Sequence, residues 1–422
     1  LRGLLGFSEL SIFNFSQYIY AKINFSHVNQ MNFNEKQIKR INLIMNLYKL
    51  PKAKLYQENC LEVLKSLPDN SIESIITDPP YGISFMNQNW DHEVPGTEYW
   101  KEAIRVAKPG AYLLAFAGTK KFHRLICAIE DSGWEIKDCI MWFYGDGMPK
   151  SRNISKDLDI EIPATRNRKS VSKRNKIKRD NDLLSSWHTQ HGLEKGKTRI
   201  NDVEEKGFIE VPDNIPVTDD AKLFEGYGTT LKPAWEPIIL AMKPTEGSYA
   251  KNAREHAVAG LNINSCRVSS GRWPANVIID EESSKLIDEQ SGISKSIIHK
   301  GPAGPQYEDS GGASRFFYCA KASTKEKNIG VDGKNTHPTV KPLSLMEYLC
   351  NLTKTPSGGT VLDMFMGSGT TGVACVNTGR EFIGIELKED SYEIAKQRIE
   401  HAINKGKKLK PKSLLKKKST SS

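Results

Sequence analysis

Apolar residues gather along this chain in seven short runs, at 54–57, 74–77, 111–116, 136–143, 236–242, 360–363 and 382–386. Several are continuous rather than alternating, the pattern of strands buried on both faces. Helical spacing fills many of the gaps. Residues 98–107 stop at Lys108-Pro109-Gly110, and 120–130 end near Gly133. Residues 343–352 carry Leu345, Met346, Leu349 and Leu352. Residues 390–403 place Tyr392, Ala395, Ile399 and Ala402 on one face. Strand alternating with helix predicts a mostly parallel sheet covered on both sides. Two stretches break the rhythm. Residues 150–225 are polar and weakly periodic, and read as an insertion. Residues 245–335 hold Gly, Ser and Asn clusters with Trp273 and Phe316-Phe317-Tyr318 as isolated aromatics, and read as a small irregular inserted domain.

Composition narrows this picture. The 422 residues, 38% of them hydrophobic, allow two or three domains and exclude a disordered chain. No window approaches 18 uninterrupted apolar residues, so no membrane-spanning helix is expected. Seven scattered cysteines without a C-x-x-C pair argue against a disulfide scaffold or zinc ribbon and for a reducing cytoplasm. The nine histidines are spread out, and His188 and His191 lack acids or thiols at ligand spacing, so no metal site is expected. The net charge of +10 is local. Eight lysines and no acid give residues 401–422 a charge of +8, and residues 1–44 carry +3, which leaves the body near neutrality at −1. Residues 150–179 add eleven basic side chains against three acids. That stretch and the tail are candidates to follow a phosphate backbone, or simply solvated segments. The sequence opens on Leu1, and Met31 and Met45 are candidate starts. Residues 1–44 lack the features of a signal peptide and are expected to be poorly ordered, as is the Lys/Ser tail at 405–422.

The chemistry sits at two strand ends. Ile75-Ile76-Thr77 runs into Asp78-Pro79-Pro80-Tyr81-Gly82. Open α/β sheets bind ligands outside the carboxyl ends of their strands. The prolines remove two backbone donors and leave carbonyls free to accept. Asp78 adds a charged acceptor and Tyr81 a flat face, a set suited to a planar heterocycle with an exocyclic NH2. Far along the chain, Thr360-Val361-Leu362-Asp363 leads into Met364-Phe365-Met366-Gly367-Ser368-Gly369-Thr370-Thr371-Gly372, which reads as strand, glycine turn and helix. Glu386 follows at the end of the next strand, where an acid can accept two ribose hydroxyls. The glycine pattern by itself fits a nicotinamide-dependent oxidoreductase equally well. His337-Pro338-Thr339-Val340-Lys341-Pro342 lies just upstream and can help frame the same pocket.

Taken in order, Asp-Pro-Pro-Tyr, His-Pro-Thr-x-Lys-Pro and Asp-x-Phe-x-Gly-Ser-Gly-Thr-Thr resemble the beta class of amino-group DNA methyltransferases over roughly residues 52–400. The resemblance implies a Rossmann-like, S-adenosylmethionine-dependent methyltransferase fold: α/β, with a seven-stranded, mostly parallel sheet and an inserted target-recognition region. It divides the chain into a leader (1–44), a catalytic half (45–149), a polar insertion (150–225), a returning strand (226–244), a target-recognition region (245–335), a cofactor half (336–404) and a tail (405–422). It implies that Asp78, Pro79, Pro80 and Tyr81 hold a flipped base. It assigns S-adenosylmethionine to Asn59, Thr339, Lys341, Asp363, Phe365, Gly367, Ser368, Gly369 and Glu386. The strand containing Glu236-Pro237-Ile238 would wall the target pocket. Met364 replaces the family's usual Pro, and Glu58-Asn59 its usual Gly-Asp. Double-stranded DNA is the implied partner, with a cognate restriction endonuclease possible. Asp at the head of the tetrad implies N6 of adenine. N4 of cytosine, a catalytically silent DNA-binding subunit, and an RNA or protein amide target are the alternatives. Arg267, Arg272, Trp273 and Arg315 are candidate recognition residues.

Overall fold

The computed structural model describes residues 53–83, 91–145, 147, 151–160, 175–178, 208–211, 216, 218–268, 271–296, 309–320 and 326–409. The leader 1–44, most of the insertion 150–225, the tail beyond Leu409, and His188 and His191 lie outside the described residues.

The strands of the main sheet are β1 (Ala53–Gln57), β2 (Ile72–Thr77), β3 (Ala107–Phe116), β4 (Glu135–Phe143), β5 (Trp235–Met242), β6 (Val277–Asp280), β7 (Tyr318–Ala320), β8 (Thr360–Asp363) and β9 (Glu381–Glu386), in the order β1-β9-β8-β2-β3-β5-β4-β6-β7. Among the described residues of this sheet, only β5 runs antiparallel, against β3 and β4. The mostly parallel α/β sheet is therefore as expected, but it has nine strands and not seven. The two extra strands, β6 and β7, come from the stretch expected to be irregular. At four and three residues they are too short to show a period. They join by parallel pairing, Met141 to Val277 and Tyr318 to Ile278.

Helices α1 (Cys60–Ser66), α2 (Thr97–Val106) and α3 (Phe122–Glu130) cover one face, burying Leu64, Trp100, Leu125 and Ile129. Helices α4 (Leu343–Leu352), α5 (Thr370–Thr378) and α6 (Glu389–Leu409) supply the other core, with Leu345, Leu349, Ala374 and Ile399. Each such aliphatic side chain contributes about 1.5–3 kcal/mol on burial. The Lys108-Pro109-Gly110 stop does end α2, yet it lies inside β3, which begins at Ala107. Gly110 has φ +80° and its N–H donates to Lys243 O at 3.0 Å, so the glycine turns the chain into the sheet without leaving it. None of the described helices is long and apolar enough to cross a membrane.

The topology brings the two chemistry-bearing segments together. β8 pairs in parallel with β2, Val361 opposite Ser74 and Leu362 opposite Ile75. Their carboxyl ends, 285 positions apart from Asp78 to Asp363, consequently lie side by side.

Candidate active site

Asp363 is the bolt between the two loops. It is buried, and its Oδ1 accepts from the Thr77 hydroxyl at 2.8 Å and from Phe365 N–H at 3.1 Å. Its Oδ2 accepts from the Thr371 hydroxyl at 2.6 Å. One carboxylate thus ties the end of β2 to the end of β8 and to the first turn of α5. Burial pushes its pKa up to about 6, and the three hydrogen bonds pull against that rise.

The glycine turn follows. Gly367 and Gly369 have φ of +53° and +77°, conformations that penalise any side chain. A Cβ on Gly367 would lie 3.0 Å from His337 Nε2, and one on Gly369 would lie 2.8 Å from the Ala395 Cβ of α6. The first glycine therefore seats the His337 loop, and the second seats α6. Arg398, buried on α6, donates to Ser368 O at 2.6 Å, Ser368 Oγ at 3.0 Å and Thr370 Oγ1 at 3.1 Å. Glu386, at the end of β9, accepts from Gly367 N–H at 2.8 Å and Lys388 N–H at 2.9 Å, one on each oxygen. A carboxylate offers about four lone-pair sites, so both oxygens keep capacity for a ligand hydroxyl. Burial raises the Glu386 pKa, with the backbone donors opposing.

A cavity of about 580 Å³ runs along these groups, within the usual size of a small-molecule site. Of the sequence-predicted residues, Asn59, Asp78, Pro80, Thr339, Lys341, Asp363, Phe365, Gly367, Ser368 and Glu386 line it. Pro79, Tyr81 and Gly369 do not: Pro79 is buried, and Gly369 acts through helix packing. Asn59 caps α1, accepting from Leu61 N–H at 2.9 Å. Phe365 faces Tyr99 with ring centroids 6.0 Å apart, and Met346, Ile385 and Leu387 complete the apolar wall. Flat apolar sides with fixed carboxylates suit a nucleoside. His337 is half-buried, and burial holds its pKa below the ordinary histidine value.

The tetrad end carries a charged network. Lys341 Nζ lies 2.6 Å from Asp78 Oδ2, 3.1 Å from the Tyr81 hydroxyl and 3.4 Å from Glu236 Oε2. The Tyr81 hydroxyl lies 2.8 Å from Asp78 Oδ1 and 2.9 Å from Glu236 Oε2. Burial alone would lower the Lys341 pKa. Asp78 and Glu236 outweigh it and hold the ammonium above its ordinary value. Burial, followed by the same two carboxylates, raises the Tyr81 hydroxyl well above its ordinary range, so it stays protonated. The tetrad backbone is fixed from outside by Asp91, whose Oδ1 accepts from Tyr81 N–H at 2.7 Å and Gly82 N–H at 2.8 Å. Lys341, expected beside the cofactor, thus also grips the tetrad. Thr77, Asp91, Glu236, Thr371 and Arg398 were not singled out as ligands or anchors by sequence reasoning. Glu236 was legible only as part of a wall strand. The signal for Arg398 was faint: a charged residue beside the apolar face of α6.

Known proteins are similar over most of the chain. The Type II methyltransferase M.HindIII of Haemophilus influenzae is 24% identical over 388 residues, covering 82% of this chain and 94% of its own length. The Type II methyltransferase M.HpaI of Haemophilus parainfluenzae is 24% identical over 359 residues, covering 83% of this chain and 75% of its own. The crystal structure of the M1.HpyAVI–SAM complex aligns at 18% identity and a TM-score of 0.39, over 82% of this chain and 98% of that one. The DNA methylase family model, of N6 and N4 methyltransferases, matches residues 72–397, a span that takes in the tetrad, the glycine turn and Glu386, and the chain belongs to that family.

Proposed function

We propose that this protein methylates the exocyclic N6 amino group of adenine at a specific sequence in double-stranded DNA, acting in the cytoplasm. One observation carries the reading. The Thr77–Asp363 bond of 2.8 Å joins the tetrad loop to the glycine turn, and both border a single cavity. The choice of adenine rests on Asp78 at the head of the tetrad.

S-adenosylmethionine, when bound, supplies a methyl group activated by its sulfonium. Glu386 and Asn59 would hold its nucleoside, with Phe365 as a flat wall. Asp363, Gly367 and Ser368 would form the floor, Gly369 would set the turn, and Thr339 and Lys341 would border it from the opposite loop. At the other end, Asp78 and the Pro79 carbonyl accept hydrogen bonds from the target amino group. That nitrogen's lone pair is conjugated into the ring, and the bonds favour a geometry in which it is available. Charge-assisted bonds contribute about 1.5–3 kcal/mol each. Asp78 does not deprotonate the neutral amine, which is far too weak an acid. It takes the proton once the nitrogen has become cationic. Pro80 keeps the loop rigid, and Tyr81 supplies the surface on which the extruded base stacks. Residues 245–335 read the flanking sequence, and a cognate restriction endonuclease shares the site.

The test is tritiated S-adenosylmethionine with unmethylated DNA, followed by digestion to nucleosides. Label in N6-methyl-2′-deoxyadenosine from wild type, and none from Asp78→Ala, is the expected result. Label in N4-methylcytosine would reassign the base, and cofactor binding without any label in DNA would overturn the reading. Resistance of the methylated DNA to a nuclease from the same host checks the partner.

A further inference from the structure

Glu236 is a half-buried acid that the reaction above does not use. It stands at the entrance of β5, with its side chain 22% exposed, and faces Tyr81 and Lys341. Both oxygens of Asp78 are already engaged: Oδ1 by the Tyr81 hydroxyl at 2.8 Å, Oδ2 by the Lys341 ammonium at 2.6 Å. A positively charged nitrogen therefore stands where the target amino nitrogen must come, and that nitrogen itself turns cationic on methylation. Two ammonium-like nitrogens on one carboxylate oppose each other. A second acceptor lies ready, because Lys341 Nζ is 3.4 Å from Glu236 Oε2, a small displacement from a full hydrogen bond. The Tyr81 hydroxyl has one proton and faces both carboxylates at nearly equal distance, 2.8 and 2.9 Å, so it serves one at a time. The network thus has two settings built from the same four groups.

We infer that Glu236 is a positioning residue for methyl transfer: it draws Lys341 off Asp78 when the target amino group arrives, so that Lys341 holds the place of the amino group in the base-free enzyme and yields it to the base. This rests on the methyltransferase reading of the Asp78 site. In the base-free setting Lys341 keeps Asp78 oriented and its charge matched. In the base-bound setting Lys341 pairs with Glu236, and Asp78 is free to hold the amino group and take its proton. The charge count fixes the consequence of changing either member. Two carboxylates and one ammonium give the cluster −1. Glu236→Gln makes it zero and leaves Lys341 no charged alternative to Asp78. Adding Lys341→Met returns it to −1 and clears Asp78.

The experiment uses full-length protein and a duplex carrying the site found by sequencing DNA methylated by wild type. If wild type methylates nothing, the methyltransferase reading itself has failed, and that outcome is distinct from every one below. Single-turnover methyl transfer and the dissociation constants for duplex and S-adenosylmethionine are measured for wild type, Glu236→Gln and Glu236→Gln/Lys341→Met. Glu236→Gln is expected to slow methyl transfer at least tenfold while both dissociation constants change less than twofold, and the double variant is expected to be faster than Glu236→Gln. A single variant faster than that, one whose lost rate is accounted for by weakened binding, or a double variant no faster than the single would overturn the proposal, since a merely structural carboxylate is not rescued by removing its partner. A second measurement needs no variant to fold: a crystal structure of wild type with the duplex and S-adenosylhomocysteine. Lys341 Nζ within hydrogen-bond reach of Glu236 and withdrawn from Asp78 supports the exchange. Lys341 still on Asp78 with the base in the pocket refutes it.

Discussion

Asp363 gives the sharpest test of how the two halves are joined, because its carboxylate is both buried and triply bonded. Its pKa rises from an ordinary 3.8 to about 6 in the folded protein, chiefly through burial. A displacement of that size corresponds to about 3 kcal/mol of preference for the protonated form. The sign follows from linkage. Below pH 3.8 the group is protonated in both states and has no effect. Between 3.8 and about 6 the folded state keeps a proton that the unfolded state has released, so stability falls as pH rises. Above about 6 both states are ionised and the cost is fully present. The perturbation is Asp363→Asn, which removes the titration and keeps the shape. The amide oxygen can still accept from Thr77 and Phe365, and the amide nitrogen can donate to the Thr371 hydroxyl once that hydroxyl turns, so the pH-independent loss is expected to be about 0.5–1.5 kcal/mol. The pH-dependent part is separate from that loss. The assay is urea unfolding of wild type and variant across pH 4–7.5. Over that range the stability difference, variant minus wild type, is expected to shift by about 2.4 kcal/mol in the variant's favour, with somewhat more than half of it above pH 5. Other titrating groups cancel in the difference. A difference constant within about 0.5 kcal/mol over that range would show that Asp363 is hydrated, and the welded-loop account would fail with it.

Three further outcomes are expected. Gly369→Ala pays about 1–2 kcal/mol for φ +77° and about 1–3 kcal/mol for a Cβ 2.8 Å from Ala395, so a thermal melt should show a midpoint lowered by about 2–6 °C. Arg398→Met leaves the Ser368 carbonyl without its guanidinium donor and slackens the glycine turn; calorimetry should show S-adenosylmethionine binding weakened about tenfold, with the rate at saturating cofactor less affected. Asp78→Asn keeps the size but removes the charge from the bond to the target amino group and the acceptor for its proton, and steady-state methylation should show kcat reduced by about two to four orders of magnitude.

The strands were legible where burial on both faces makes a continuous apolar run, as at Ile75-Ile76 in β2 and Val361-Leu362 in β8, all fully buried. The tetrad, the glycine turn and Glu386 were legible because strand ends and positive-φ glycines leave local marks in a sequence. β6 and β7 were not, because three or four residues held only by pairing with a neighbour carry no pattern of their own. The polar contacts that assemble the site were not legible for a related reason, although Asp78, Tyr81, Lys341 and Asp363 were themselves singled out: a hydrogen bond between residues hundreds of positions apart leaves no trace in the neighbours of either one. Thr77 and Asp363 are 286 positions apart, Asp78 and Lys341 are 263, and Tyr81 and Glu236 are 155.

Arg380 shows what those long-range polar contacts accomplish. It is fully buried at the foot of β9, donating to Ser74 Oγ of β2 at 2.8 Å, to Thr353 Oγ1 at 2.9 Å and to the Cys350 carbonyl at 3.0 Å. Burial lowers its pKa, as for any enclosed guanidinium, yet each of those donors has a defined partner. It pins β2 to β9 and α4 at one end of the sheet, while Asp363 pins β2 to β8 and α5 at the other. Strand β2 is consequently held at both ends by buried charged side chains from the far half of the chain. Aliphatic packing alone would tolerate small slips between β2 and β8. A slip of one residue would carry Asp78 away from Lys341 and Thr77 away from Asp363. Two buried charged anchors make such a slip costly, because each would leave a buried charge without the hydrogen bonds that now solvate it. The position of the tetrad relative to the glycine turn, on which methyl transfer depends, is therefore set by Arg380 and Asp363 as much as by the hydrophobic core around them.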